Sequence, residues 1–241
     1  MGALLATSLS FLPLLLPGLA QDATPPTHPL VFLGSAAAAG SESPRESARN
    51  SYSYDDGTPE DAANISPAAD VCWVHEFDAV GGVDTIVSVA TMVGMPGGST
   101  SLNGRALEVC VWEDPDDDGD PSNAILLTMT RDVVQQSATG AFVTYPVQPV
   151  QVSGKFFVGF IMQLNPGEAG PVGDFDTFLV DRAWAIANMP PGGFDAQNLA
   201  ANSLPPVTLS SMGVDIPWLL RAQGGAPATY CTGKLNSLGC F

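Results

Sequence analysis

One stretch of the chain, Leu107–Leu127, encloses a dense acidic tip between two apolar segments. It reads LEVCVWEDPDDDGDPSNAILL, and its first segment alternates apolar and polar residues, which is typical of a β-strand with one buried face. Six carboxylates fall within the eight residues of Glu113–Asp120, beside proline and glycine, which favour tight turns. The stretch therefore predicts a β-hairpin with a charged tip.

The rest of the chain repeats this pattern of short apolar runs and turn residues. With 25 glycines, 21 prolines and only 14% charged residues, the composition disfavours long helices. Turn signals every 8–15 residues predict an all-β fold, a two-sheet antiparallel β-sandwich that is jelly-roll-like. The predicted strands are Val71–Phe77, Asp84–Val93, Leu107–Trp112, Ala124–Val134, Phe142–Val152, Lys155–Leu164, Asp176–Trp184 and Ile216–Ala222.

Two of these strands have predictable places in the sheets. Lys155–Leu164 is almost continuously apolar, which favours a central strand covered on both faces, and its Gly159 indicates a bulge or a close neighbour. Phe142–Val152 contains two prolines, which indicate an edge strand or a bend, because proline has no N–H to donate. The long irregular segment Asn188–Pro206 is expected to be either functional or loosely packed.

The chain divides by composition into four parts. Met1–Ala20 has a short apolar run and small residues before position 21, which predicts a secretory signal peptide rather than a membrane span. Residues 21–50 are rich in Pro, Ala, Ser and Gly and are predicted to be a disordered linker. Residues 51–225 form the predicted sandwich, and residues 226–241 form a cysteine-bearing tail. We therefore expect a secreted or cell-surface protein.

The chain is strongly acidic, with 25 acidic residues against 8 basic ones and a net charge of −17. Nucleic acids and anionic membranes bind clustered lysine and arginine, so this balance disfavours both as partners. Extracellular glycans and cell-surface proteins remain as candidate partners. Divalent cations are compatible with the charge, although a simple solvated acidic surface explains it equally well.

The acidic tip has the spacing of a calcium loop. Asp114, Asp116 and Asp118 alternate before a glycine, and Asp120 follows, so their carboxylates can converge on one hard cation. Position twelve of such a loop is Ile125 rather than glutamate, which excludes an EF-hand. The tip is therefore either a calcium-binding hairpin or a polar turn.

The four cysteines are Cys72, Cys110, Cys231 and Cys240. In a secreted chain an even number favours disulfides, and three pairings are possible. We favour Cys72–Cys110 within the sandwich and Cys231–Cys240 within the tail. Their spacing does not match a zinc site.

The tail carries one resemblance. Thr229–Cys240, TYCTGKLNSLGC, resembles a Tyr-Cys-Thr-x-Lys-x-Asn-Ser-x-Gly-Cys segment of secreted multidomain proteins from environmental bacteria. In those proteins the segment follows a β-rich domain of uncharacterised function and continues into further β-structure. The resemblance implies an extracellular location, a β-fold and a further module after the tail, and it implies no particular activity.

Aromatic and titratable residues offer weaker signals. Trp112, Trp184 and Trp218 are either a stacking platform for sugar rings or core residues, and the core is the more usual place for them. His75 is expected in the core. A second acidic cluster comprises Tyr52, Tyr54, Asp55, Asp56 and Asp61, and it is either a first edge strand with its turn, the more usual case, or part of a cation or sugar site.

Three functions fit these features. The first is a non-catalytic secreted or cell-surface module with a structural or adhesive role. The second is a calcium-assisted carbohydrate-binding module. The third is a glycoside hydrolase-like enzyme with a dispersed carboxylate pair, for which Glu76 and Glu108 are the residues to compare. Motifs of serine hydrolases, zinc proteases and nucleotide-binding proteins are missing from the sequence.

Overall fold

The computed structural model describes residues 30–32, 51–98, 100–179 and 181–225, which hold thirteen β-strands, three short 3₁₀ helices and no α-helix. The strands are β1 Leu30–Phe32, β2 Ser51–Tyr52, β3 Asp61–Ile65, β4 Ala69–Asp78, β5 Thr85–Thr91, β6 Ala106–Glu113, β7 Ile125–Val133, β8 Val143–Gln151, β9 Lys155–Leu164, β10 Val172–Gly173, β11 Ala183–Asn188, β12 Leu204–Thr208 and β13 Leu220–Gly225. The 3₁₀ helices are Pro121–Asn123, Leu199–Ala201 and Ser210–Met212. None of the described helices is long and apolar enough to cross a membrane.

The strands form two main antiparallel sheets that pack face to face. One sheet has six strands in the order β12-β11-β4-β9-β6-β7, and the other has four in the order β2-β13-β5-β8. A small third sheet, β1-β3-β10, is also antiparallel. The predicted all-β, two-sheet sandwich is confirmed.

β9 is central, as its apolar sequence predicts. It pairs with β4 on one side and β6 on the other, with Phe160 opposite both Trp73 and Val109. Within β9 only Gln163 is exposed. A Cβ on Gly159 would lie 2.7 Å from the Trp73 carbonyl oxygen, so this position needs glycine because of a close neighbour.

β8 lies at the edge of the four-stranded sheet, which confirms the prediction from its prolines. Other predicted bounds were less accurate. The strand expected over Asp176–Trp184 begins only at Ala183, and β13 begins at Leu220 rather than at Ile216. Isolated apolar residues in turns resemble strand ends in sequence, which explains both shifts.

The main core fills the space between the two large sheets. Trp73 stacks on Phe160 with a centroid distance of 5.9 Å, and Tyr145 from the opposite sheet meets the edge of the same ring at 5.6 Å. Each fully buried large side chain contributes about 1.5–3 kcal/mol through removal of apolar surface from water. These contacts hold the six-stranded sheet against its partner.

A second core covers the outer face of the six-stranded sheet. The residues include Cys72, Cys110 and Trp112 from the strands and Ala196 and Leu199 from the segment between β11 and β12. Because this segment lies over the sheet, the middle of β9 is buried on both faces. We call residues 189–203, between β11 and β12, the covering segment. The outer face of the sheet has a surface depression on either side of it.

The predicted Cys72–Cys110 disulfide is wrong, because both cysteines are free thiols in the second core. β9 runs between their strands, so the two backbones are separated by two inter-strand spacings, roughly 10 Å. Disulfide-linked Cα atoms lie about 4.4–6.8 Å apart. Burial raises the pKa of both thiols well above the usual value. The predicted Cys231–Cys240 pair lies outside the described residues.

The predicted N-terminal linker overlaps the described residues at one point. Leu30–Phe32, inside the predicted linker, pairs with β3 as an antiparallel strand, with Leu30 opposite Ile65. These three residues are apolar and add a short strand to β3. The predicted signal peptide, the rest of the linker and the tail lie outside the described residues.

A candidate ligand-binding groove

An open groove of about 780 Å³ lies on the outer face of the six-stranded sheet, beside the covering segment. Its floor comes from β4, β6, β7 and β9, and its wall comes from residues 192–197. The side chains that matter for its chemistry are Asp70, Arg105, Glu108, Gln163, Phe194 and Gln197.

The wall is fixed to the sheet by one carboxylate. Asp70 Oδ2 accepts hydrogen bonds from the backbone N–H groups of Gly192 at 2.6 Å and Gly193 at 3.1 Å. Gly192 has φ of +101°, which side-chain-bearing residues rarely adopt. A further bond runs from Trp112 Nε1 to the Ala196 carbonyl oxygen at 2.8 Å. These bonds hold Phe194 and its neighbours in one position.

The covering segment also has its own buried hydrogen-bond centre. Asn202 is 5% exposed, accepts a bond from the Asp195 backbone at 2.9 Å and donates to the carbonyl oxygens of Asp195 and Leu199 at 3.1 and 3.0 Å. A buried amide that satisfies this many backbone groups stabilises one loop conformation. The long irregular segment is therefore tightly packed, and one of its ends forms a wall of the groove.

The floor of the groove carries an unpaired amide. Gln163 is exposed, and its side chain forms no hydrogen bond with any residue that the structure describes. Its backbone carbonyl oxygen accepts a bond from Arg105 Nη1 at 2.9 Å, and the same guanidinium is paired with Glu168. The hydrogen bond from Arg105 lowers the pKa of Glu168 to about 2, so this pair is ionised.

The acidic hairpin tip brings three of the four predicted ligands together. Asp114, Asp116 and Asp118 each place one carboxylate oxygen within 4.8 Å of the others. Asp120 does not join them, because its Oδ1 accepts a bond from the Ser122 backbone at 2.8 Å and caps the first 3₁₀ helix. The set can hold a cation through three protein oxygens.

Asp114 is the centre of the tip. It is 5% exposed, and its oxygens accept hydrogen bonds from the backbones of Asp117 at 3.1 Å and Gly119 at 2.7 Å. Burial raises the pKa of Asp114, whereas a hydrogen bond with the Asn123 side chain lowers the pKa of Asp116. The carboxylates of Asp114 and Asp116 lie close together within the set of three.

A second group of carboxylates was not predicted as a set. Asp56, Glu60, Asp174 and Asp176 each place one oxygen within 4.8 Å of the others. Asp174 is fully buried and accepts bonds from the backbones of Asp56 at 2.8 Å and Thr177 at 2.9 Å. Burial, followed by the neighbouring carboxylates, raises the pKa of Glu60 to about 7.

The residues of the acidic cluster predicted within 52–61 do not form one site, because they have different partners. Asp55 is paired with Arg221, and Tyr54 stacks on Phe77 at 4.8 Å. β2 is a two-residue edge strand, as expected. Of the residues in this predicted cluster, only Asp56 belongs to the second group of carboxylates. That group brings Asp56 together with Asp174, which is 118 positions later in the chain. The Asp174-x-Asp176 spacing was the available sequence signal.

The prediction that His75, Trp112 and Trp218 are core residues is confirmed. His75 is fully buried, accepts a bond from the Trp218 backbone at 2.9 Å and lies 3.2 Å from the Leu220 carbonyl oxygen. Burial lowers the pKa of His75 to about 3. Trp112 and Trp218 are also fully buried, and Trp184 is half-buried, so the three do not form an exposed platform.

Glu76 and Glu108 do not form a pair. Glu76 lies opposite Phe157 and Glu108 opposite Ile161 on the strand between them, four residues or roughly 13 Å apart along β9. Glycosidase carboxylates lie about 5–10 Å apart. Glu76 is instead paired with Lys155, and Glu108 with Arg131.

No family model, curated protein or solved structure matches this chain.

Proposed function

We propose that this protein is a non-catalytic, secreted or cell-surface adhesive module that binds an extracellular oligosaccharide in the groove. One observation supports this most directly: the groove has a wall fixed by Asp70 and a floor with the unpaired amide of Gln163. A fixed site loses little conformational entropy on binding. Such a site suits a ligand that makes many weak polar contacts.

The groove has the mixed chemistry that a sugar needs. An amide side chain offers both donors and an acceptor, and a sugar hydroxyl can use either. Gln163 on the floor and Gln197 on the wall both supply such amides. Phe194 lines the same groove, packs half-buried against the second core and supplies apolar surface for the C–H face of a sugar ring. This combination favours an oligosaccharide over a wholly apolar ligand.

The groove carboxylates support a binding role rather than hydrolysis. Asp70 is occupied by two backbone N–H groups, and Glu108 is paired with Arg131 at 2.9 Å. Asp195 accepts bonds from the backbones of Gln197 and Asn198. A general acid must deliver a proton to the reacting bond from a free carboxyl group, and each of these three carboxylates is already hydrogen-bonded to the protein.

Calcium at the hairpin tip is a second proposal. Asp114, Asp116 and Asp118 would supply three oxygens to the ion, because one carboxylate oxygen of each lies within 4.8 Å of the others. The tip lies at the far end of the outer face from the groove, so calcium would stabilise the hairpin rather than contact a ligand in the groove.

Affinity electrophoresis of the purified full chain through gels that contain single polysaccharides tests the adhesive role. We expect retardation in at least one gel, and about tenfold weaker retardation for Gln163→Ala, because two net hydrogen bonds contribute about 1–2 kcal/mol. Gln151→Ala is the matched control, since Gln151 is exposed on β8 of the other sheet. Retardation that is unchanged in Gln163→Ala, or lost in both variants, would contradict the groove assignment.

A further inference from the structure

We infer that the groove selects uncharged oligosaccharides and discriminates against acidic ones such as uronates and sulfated glycans. This inference rests on the proposed function and adds the class of ligand. It follows from which polar groups of the groove are already occupied and which are left for a ligand.

Every basic side chain in the part of the chain that the structure describes has a carboxylate partner. Binding an anionic ligand would require one of these cations to leave its partner or to share it. The pairs are Arg105 with Glu168, Arg131 with Glu108, Lys155 with Glu76, Arg182 with Asp78, and Arg221 with Asp55.

Two of these pairs involve the groove. Its lining contains two guanidinium groups, from Arg105 and Arg131, and three carboxylates, from Asp70, Glu108 and Asp195. Its own charge is therefore slightly negative, and the chain around it carries −17. An acidic sugar would approach against this field, would find both Nη atoms of Arg105 engaged by Glu168 and would have to share Arg131 with Glu108.

The carboxylates are engaged as well. One oxygen of Asp70 and one oxygen of Asp195 accept backbone N–H groups of the covering segment, and one oxygen of Glu108 is paired with Arg131. The side chains of Gln163 and Gln197 form no hydrogen bond with described residues, so two uncharged amides are open to a ligand.

Matched polysaccharide pairs test this selectivity. The probes are oligogalacturonates and their methyl esters, and carboxymethyl-dextran and unmodified dextran, so that each pair shares a backbone and differs in charge. A panel of further uncharged polysaccharides accompanies them. We expect the full chain to bind at least one uncharged polysaccharide at least tenfold more tightly than any acidic probe, with an affinity for it that changes little between low and high salt.

Tighter or equal binding of an acidic probe would overturn the inference while leaving the adhesive role intact. Retardation by none of the polysaccharides would instead overturn the proposed function itself. The two failures are therefore distinguishable.

A substitution tests whether the pairing of Arg131 causes the discrimination against acidic sugars. Glu108→Gln frees Arg131 from its pair, and we expect this change to reduce discrimination against the acidic probes about two- to fivefold, the scale of one exposed ion pair. Glu113→Gln removes the same charge at the hairpin tip and is the control. An equal effect of both variants would show that net charge, not pairing in the groove, sets the selectivity, and would overturn this explanation.

Discussion

The carboxylate of Asp70 on β4 lies 2.6 Å from the backbone nitrogen of Gly192, a residue 122 positions later in the chain. The same oxygen also accepts the N–H of Gly193. A carboxylate that accepts backbone N–H groups at partly buried sites makes a strong, directional bond. This contact joins the covering segment to the sheet and so defines the wall of the groove.

We expect Asp70→Ala to lower the free energy of unfolding by about 1–3 kcal/mol, because it leaves two backbone donors without their acceptor. Urea denaturation measures this loss, and hydrogen exchange should show faster exchange at residues 192–197. Asp70→Asn keeps an acceptor oxygen and should lie between the variant and wild type. An Asp70→Ala protein with unchanged stability and exchange would show that Asp70 does not position the wall.

The sheets themselves could be predicted from local patterns. β9 was predicted with its observed bounds and in its central place, because a strand buried on both faces leaves a continuous apolar run. The edge position of β8 followed from its prolines. Such features depend on each strand's own residues.

The relations between distant strands could not be predicted in the same way. Cys72 and Cys110 lie on strands of one sheet and on the same face, yet β9 separates them. The groove depends likewise on the contact of Asp70 with residues 192 and 193, and the second carboxylate group depends on Asp56 meeting Asp174. These contacts depend on the order of the strands in the sheets, and that order cannot be inferred from the local patterns of a single sequence.

The thiol assignment gives a direct test. In a protein carrying Cys231→Ala and Cys240→Ala, we expect two reactive thiols after unfolding without reductant, and none in the native state, because Cys72 and Cys110 are fully buried. A thiol-reactive chromophore measures both states. The absence of reactive thiols after unfolding would mean that the two cysteines are bonded, contrary to the structure.

His75 should make the protein less stable in acid. Its pKa is about 3 in the fold and about 6.5 when unfolded, so the unfolded state binds the extra proton between these values. The stability it contributes is complete above pH 6.5 and declines as the pH falls below it, by about 2 kcal/mol at pH 5.

Urea titrations of wild type and His75→Gln from pH 8 to pH 4 measure this contribution as the difference between the two curves. Carboxylates titrate in both proteins and cancel in the difference. We expect the difference to shrink as the pH falls below 6.5, and a constant difference would contradict a buried neutral histidine.

The contribution of Glu60 to stability should depend on pH in the opposite sense to that of His75. Burial and nearby carboxylates raise its pKa from 4.5 to about 7, so its contribution to stability is complete below pH 4.5 and is lost as the pH rises through 7. Glu60→Gln keeps an oxygen for the Phe175 backbone N–H, whose bond to Glu60 is 2.9 Å, and removes the charge.

We therefore expect Glu60→Gln to stabilise the protein above pH 7, by about 1 kcal/mol once solvent screening of this partly exposed group is allowed for. Below pH 4.5 the variant should match wild type, because the native carboxyl is then neutral as well. Thermal melts at pH 4 and pH 8 in the presence of EDTA measure both. Destabilisation at pH 8 would contradict the charge argument.

Calcium removal tests the hairpin tip. If the ion binds through Asp114, Asp116 and Asp118, calcium at about 100 times its dissociation constant should stabilise the fold by about 2.7 kcal/mol, and EDTA should reverse the rise in Tm. Asp116→Asn removes a ligand charge and should abolish most of this shift. Asp120→Asn is the matched control, because Asp120 lies outside the set and asparagine also caps a helix.

Asp176→Asn distinguishes calcium binding at the hairpin tip from calcium binding at the second group of carboxylates, whose oxygens are also close enough to hold a cation. We expect this variant to keep the calcium-dependent rise in Tm, because the tip set lies on a different loop. If Asp176→Asn abolished the rise while Asp116→Asn kept it, the ion would bind between Asp56, Glu60, Asp174 and Asp176, and the assignment to the hairpin would be wrong. Equal shifts in all variants would place calcium outside both sets.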